Sequence, residues 1–578
     1  MACTIFLRWP AHYGVLQWKK ALSGRKNKLK LKYVVLSVAV VLIIAGAYFV
    51  TRPAPPALTP PKVLTIGMGT EPPILDPHRA SGMPNLGILR LVMETPLDIH
   101  YETGQVLPCL VERWEASPDA TTWTLYLRRN VKFHDGTPFN ATAIKFTFER
   151  LLDPETKAGS RSYWFAIKSV EVKDTYTAVI RTSPNAPFLR KLNYGPCEIV
   201  SPSQVKRLGD KFAQTTELPV GTGPYRFAEY VKGSHIKLVA NNEYWGGRPK
   251  IDTIIVKPIP EAGARLMALE AGTVDFVYSV PPADIPRLEK NSDLRLVYGK
   301  PTRTMWLALN NKWGPLQDKR VRQALNYAVD KVTMNERIFK GKADVMDCIM
   351  PSHAVGYYKV GPYPYDPAKA KQLLKEAGFP EGFEVTLRYS PGRYLMSDEI
   401  AGAIQSYLAA VGVKVKIETL DWAALSTKNT LPLDRNDNQM VYLGAGLVSL
   451  DFDDLSFMTK AGWPPSNLFP VFYENARFDK LYEQGAVVAD TEERMKSYRE
   501  ANQILWDDAP VVFLWFEPQI YAARKRAHEI YVRHEETIWL KDAWVESEGG
   551  QRSLSIIPVL NSYALLGRAY ESIPNLKT

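Results

Sequence analysis

The stretch VKFHDGTPFNATAIKF, Val131 to Phe146, sets a histidine beside an aspartate, a pair able to bind a metal or to move a proton. A metal would need a second ligand at a fixed offset, such as three or four residues along a helix, and the sequence supplies none after His134 and Asp135. Asp135-Gly136 reads instead as a turn, with Thr137-Pro138 keeping the chain extended. Asn140 then stands where a helix N-cap belongs, ahead of an inward face of Ile144, Phe148, Leu151 and Leu152. A second cluster, LDFDDLSF, gathers Asp451, Asp453 and Asp454, as a calcium loop would. Counted from Asp451, however, the sixth and twelfth positions are Ser456 and Gly462 rather than glycine and glutamate. VGTGPYRF, with Gly221 and Gly223, lacks the third glycine of a nucleotide loop and reads as a tight turn into a strand. G-x-S-x-G, the phosphate-cradling G-x-x-x-x-G-K-[ST], H-E-x-x-H and C-x-x-C are all missing from the sequence, so no enzyme, metal or cofactor is expected.

Most of the 14 tryptophans, 29 tyrosines and 21 phenylalanines of a 578-residue chain belong to cores. Without catalytic signatures, that amphipathic aromatic content suits recognition of a soluble ligand. The elements that would position such a site are mixed α and β. KVLTIGM (Lys62–Met68) and TWTLYLR (Thr122–Arg128) alternate like half-buried strands. DKRVRQALNYAVDK aligns Val321, Ala324, Leu325, Ala328 and Val329 on one helical face behind Asp318 as N-cap. YDPAKAKQLLKEAGF reads as an Asp366 cap, Pro367 in the first turn and Gly378 past the end. EVTLRYS, a helix over Ser397–Ala410 with Ile400, Ile404, Leu408 and Val411 aligned, and VKVKIET then form a βαβ unit, which requires a parallel strand pair.

Eight of the eleven net positive charges fall in residues 1–32, which contain no acid, so the body is nearly neutral and nucleic-acid binding is not expected. The basic leader precedes eighteen uncharged residues, Tyr33 to Val50, just long enough to span a membrane with the N-terminus in the cytoplasm. The same stretch also fits a cleaved signal peptide, with Val34–Ile44 as its apolar core and Ala45–Ala47 as the cleavage site. Either way the body lies outside the cytoplasm, in the periplasm or at the cell surface. Residues 51–62 form a proline-rich linker, extended and semi-rigid. Beyond it, Cys109, Cys197 and Cys348 leave room for one disulfide and one free thiol, with the pair left open.

Several segments together are similar to the bacterial extracellular solute-binding proteins of family 5, the dipeptide- and oligopeptide-binding components of ABC importers. They are PPILDPHRA (Pro72–Ala80), the block Leu107–Pro154 around His134, PVGTGPYRF (Pro219–Phe227), NNEYWGGRPKIDTI (Asn241–Ile254) and LALNNKWGPLQDKRVRQALNYAVDK (Leu307–Lys331). YDPAKAKQLLKEAGFPEGFEVTL and ANQILWDDAPVVFLW follow in family order, so the similarity covers roughly residues 63–545. The resemblance implies an α/β, two-lobed periplasmic-binding-protein fold of class II-like type. Lobe I would take residues 63–92, 200–301 and 510–545, with 93–199 as an inserted subdomain; lobe II would take 302–509, and 546–578 would be a C-terminal extension. Two strands would cross between the lobes near 302 and 509 as a hinge.

By the same resemblance, a ligand is captured between the lobes and delivered to permease subunits in the membrane. A peptide is expected, with an oligosaccharide, metal chelate or haem as the alternative and a ligand sensor as the second class. Arg393, in TLRYSPGRYL, falls near the arginine that pairs with the ligand carboxylate in dipeptide-binding relatives. Gly446, Leu447, Val448, Ser449 and Asp451 of GAGLVSLDF, together with Gly82 and Met83, complete the implied ligand contacts. Relatives carry an aspartate for the ligand's ammonium three residues before an acidic D-P-D-like motif, and here that position is Val448. Asp451 or Asp453 would have to substitute, or the ligand has no free amine at that end.

Overall fold

The computed structural model describes residues 37, 40 and 61–546, except 73, 80–82, 159, 194, 214–216, 448, 489 and 534–535. The expected membrane span (apart from Ser37 and Val40), most of the linker and nearly all of the C-terminal extension thus lie outside the described residues. Among the described residues no helix is long and apolar enough to cross a membrane.

The local signals in the sequence are realised where side chains alone can enforce them. Asn140 caps the helix Ala141–Leu152, its side-chain oxygen accepting the Thr142 N–H at 2.9 Å; Ile144, Phe148 and Leu151 are buried and Leu152 half-buried. Asp318 caps Lys319–Ala328 and Asp366 caps Pro367–Glu376 in the same way, each accepting a backbone N–H at 2.8 Å. Gly378 sits at φ +91°, the left-handed conformation that ends a helix most readily at glycine. Strands Glu384–Tyr389 and Lys414–Thr419 pair in parallel across helix Ser397–Ala409, which is the βαβ unit expected.

These elements assemble around two central sheets. The lobe I sheet runs, in spatial order, Leu294–Gly299, Gln519–Arg524, Phe276–Val277, Val63–Met68, Thr253–Pro258, His235–Ala240 and Tyr225–Val231. The lobe II sheet runs Asp344–Val345, Val511–Phe516, Arg303–Leu309, Met440–Gly446, Glu384–Tyr389 and Lys414–Thr419. The inserted subdomain is a four-stranded antiparallel sheet of Val111–Ala116, Thr122–Leu127, Thr177–Thr182 and Ile167–Asp174, closed by Ala141–Leu152 over a core that includes Trp123, Phe148 and Trp164.

The chain passes between the two sheets at 300–302 and again at Glu517-Pro518, against crossings expected near 302 and 509. The difference has a packing cause. VVFLWF (Val511–Phe516) is buried at every position and pairs with Arg303–Leu309, as a fully covered inner strand of lobe II does. The thiols also differ from one expectation. Cys109, Cys197 and Cys348 are all free and buried in separate surroundings, beside Glu94, the Leu192 carbonyl and Asn502 respectively. Burial pushes the Cys348 thiol up to about 11, so it is protonated at neutral pH.

His134 proves to be a tether. Its Nδ1 accepts the Gly221 N–H at 3.2 Å and its Nε2 donates to the Gly223 carbonyl at 2.9 Å, fastening the HDG turn to the VGTGPYRF turn. Asp135 accepts the Thr137 N–H at 3.0 Å and the hydroxyls of Ser201 and Ser203 at 3.2 and 3.3 Å. His78 is held alike, with Arg150 donating to Nδ1 at 2.6 Å and Nε2 facing the Glu198 carbonyl at 3.2 Å. In both rings Nδ1 is an acceptor, so the neutral form is the one that fits. Burial lowers both to about 4, helped at His78 by Arg150. Between pH 6.5, where the unfolded chain takes up these protons, and about 4, where the folded chain does, the unfolded state binds more protons. Stability is therefore fully present above pH 6.5 and falls as pH drops, by about 1.4 kcal/mol per pH unit for each histidine. Melting curves from pH 7.5 downward should show this fall, and His134→Gln should make it shallower. An equal slope in that variant would contradict the tether.

Candidate interlobe site

At the two crossings the lobes enclose a cavity of about 420 Å³. Lobe I contributes Ser279, Val280 and Glu536, lobe II contributes the loop Gly392–Met396, and the crossings contribute Arg303 and Glu517. The loop follows strand Glu384–Tyr389 and turns at Pro391-Gly392, where Gly392 takes φ +70° and donates its N–H to Ser397 Oγ at 3.2 Å. That turn leaves Arg393 exposed, its guanidinium stacked 4.4 Å over the Trp422 ring and 5.2 Å from that of Tyr394. Tyr394 is fixed from below, its hydroxyl donating to the Gly444 carbonyl at 3.2 Å and its ring packing edge-on against Tyr442. Among the described residues no carboxylate lies within ion-pair distance of Arg393, which acts on Glu517 only at longer range, so its hydrogen-bond donors are open to the cavity.

A charge cluster that sequence reading missed also lines this cavity. Arg303 opens the strand Arg303–Leu309 and reaches Glu517 at 3.1 Å and Glu536 at 2.9 Å. Burial works against the Arg303 charge, but the two carboxylates outweigh it and hold the guanidinium firmly protonated. Burial pushes Glu517 up, opposed by Arg303. Glu517 also accepts the Leu395 N–H at 2.8 Å, so this crossing residue holds the lobe II loop in place. One signal was available: a glutamate placed directly after the apolar run VVFLWF has to be buried, and a buried charge needs a partner.

The residues expected from GAGLVSLDF divide. Gly446 ends the strand Met440–Gly446, in register with Arg303 and exposed. Leu447 is buried in the lobe II core. Ser449 is fully buried, its hydroxyl donating to Asp453 at 2.6 Å and its N–H to Asp454 at 3.1 Å. Asp451 is at 0% exposure and takes Arg494 at 2.5 Å, with Phe452 N–H as a second donor at 2.7 Å. Burial pushes its carboxyl up, opposed by Arg494 and Arg190. Its Oδ1 is paired within lobe II, and the aspartate does not line the interlobe cavity. Met83 opens the short helix Met83–Leu89, while Gly82 and Val448 lie outside the described residues.

The same loop carries the contact between lobes. Lys191, in the subdomain helix Phe188–Lys191, pairs with Asp453 at 2.6 Å, and Arg190 donates to the Ser449 carbonyl at 2.7 Å and to Gly104 at 2.9 Å. Both basic side chains are largely buried and reach across from lobe I, so the lobes are apposed here. Among the described residues no group of histidine, cysteine or carboxylate side chains could hold a metal.

Comparison with known proteins agrees with this geometry. The model of the family described as bacterial extracellular solute-binding proteins, family 5 Middle, matches residues 105–464. The glutathione-binding protein GsiB of Pectobacterium atrosepticum is 30% identical over 444 residues, 76% of this chain and 86% of that protein. Among solved structures, the ABC transporter-associated periplasmic binding protein DppA from Helicobacter pylori, in complex with the peptide STSA, superposes with a TM-score of 0.71 at 28% identity, covering 84% of this chain and 98% of that one. The binding protein AgaA from A. tumefacien R10, in complex with agropinic acid, does so with a TM-score of 0.70 at 28% identity, covering 84% of this chain and 99% of that one.

Proposed function

From the premise that this chain belongs to the bacterial extracellular solute-binding proteins of family 5, we propose that it captures a peptide-type solute between its lobes for an ABC importer. The solute would be bound outside the cytoplasm, and the closed form would dock on a membrane permease, with Tyr33–Val50 serving as anchor or signal segment. The observation that carries this reading is Arg393, a guanidinium that among the described residues forms no ion pair, on the wall of an interlobe cavity of about 420 Å³. Such a group suits a ligand carboxylate, which gains a charge-assisted contact as the lobes exclude water. Relatives named for glutathione and a peptide complex support the same ligand class. No bond is broken in this cycle; the hinge at 300–302 and Glu517-Pro518 opens and closes around the solute.

A second reading, a non-peptide solute that carries a carboxylate, draws on the AgaA complex with agropinic acid and on Val448 at the position of the relatives' aspartate. Thermal-shift screening decides between them. Stabilisation by di-, tri- or oligopeptides, glutathione included, is expected. A shift from a sugar conjugate or chelate alone would select the second reading.

A further inference from the structure

We propose that the ligand's ammonium is taken by Glu536 at the hinge, in the cavity that Arg393 also lines, and that this site replaces the carboxylate missing at Val448; this rests on the peptide reading above. The hinge cluster sets one guanidinium, Arg303, between two carboxylates, Glu517 and Glu536, so its ion-paired groups sum to one negative charge, which Arg393 attracts from farther off. The three groups are not equally occupied. Glu517 uses one oxygen for Arg303 and the other for the Leu395 N–H. Arg303 is engaged by both glutamates. Glu536 meets Arg303 through Oε1 alone, and among the described residues no donor is placed on Oε2.

A carboxylate of that kind, only a quarter exposed, favours a cation that brings its own hydrogen-bond donors. With Arg393 lining the same cavity, the site suits a solute that carries both an ammonium and a carboxylate. Asp451 and Asp453, the other candidates, already pair with Arg494 and Lys191 respectively. The hinge position adds a consequence: an ammonium on Glu536 would touch lobe I while the carboxylate touches lobe II, so only a ligand carrying both groups favours closure from both sides.

Calorimetric titration with trialanine and with reduced glutathione, each beside its N-acetylated form, tests this on the parent protein, Glu536→Gln and Glu536→Asp. The parent is expected to bind a free-amine peptide at least about thirtyfold more tightly than its N-acetyl counterpart, as removing one partner of a desolvated charge pair implies. Glu536→Gln should lose that preference and Glu536→Asp keep most of it. Equal binding of acetylated and free peptides by the parent, or an intact preference in Glu536→Gln, would overturn the assignment while leaving the peptide reading in place. Binding of none of the four compounds would overturn the peptide reading, and the assignment with it.

Discussion

Arg494→Met is expected to destabilise lobe II by about 3–5 kcal/mol, because it strips the buried Asp451 carboxylate of its ion-pair partner and leaves only the charge of Arg190, which is not bonded to it. Arg494 is 3% and Asp451 0% exposed, so the pair is out of reach of bulk water. Arg494 also donates to the Gly485 carbonyl at 2.8 Å and to the Tyr498 hydroxyl at 3.0 Å, tying helix Thr491–Asp508 to its neighbours. The double variant Arg494→Met, Asp451→Asn should recover most of the loss, since it removes the stranded charge along with its partner. Chemical denaturation of the four proteins forms the cycle. A loss below about 1 kcal/mol in the single variant would mean that Asp451 is not committed to Arg494, and would return it to the ligand candidates.

Arg393→Ala should act in the opposite way, leaving stability almost unchanged and removing binding. Its side chain is exposed and stacks on Trp422, a contact worth about 0.5–1 kcal/mol at such a site. Once the lobes close over a ligand carboxylate, losing the guanidinium costs about 2–5 kcal/mol, roughly thirtyfold to several thousandfold in Kd. Peptides ending in a C-terminal amide should bind the parent weakly and be indifferent to the substitution. Calorimetry with acid and amide forms separates the outcomes. If Arg393→Ala binds the acid form as tightly as the parent does, Arg393 is no ligand group.

What could be read from the chain beforehand follows the range of each interaction. Asn140, Asp318 and Asp366 cap helices by bonding N–H groups two or three residues away, so their spacing alone announced them. The long block around His134 announced the family, and its polar residues bind the turn rather than a metal because their partners, Gly221 and Gly223, are themselves backbone. Asp451 was visible as an acidic residue in the right neighbourhood. Its role was set by Arg494, 43 residues further on, which no local pattern reveals. The hinge cluster is more remote still, since Arg303 and Glu517 are 214 residues apart and meet only because the two crossings lie side by side. The displaced second crossing has a related origin, as a fully apolar strand fits the middle of either sheet and only its partner, Arg303–Leu309, decides which.

Small-angle scattering of the protein, alone and saturated with a tripeptide that stabilises it, tests most directly whether two hinged halves trap a solute. The radius of gyration should fall on binding and recover after dialysis, with the peptide returned intact. An unchanged radius in the presence of bound peptide, or a cleaved peptide in the dialysate, would contradict capture by closure without chemistry.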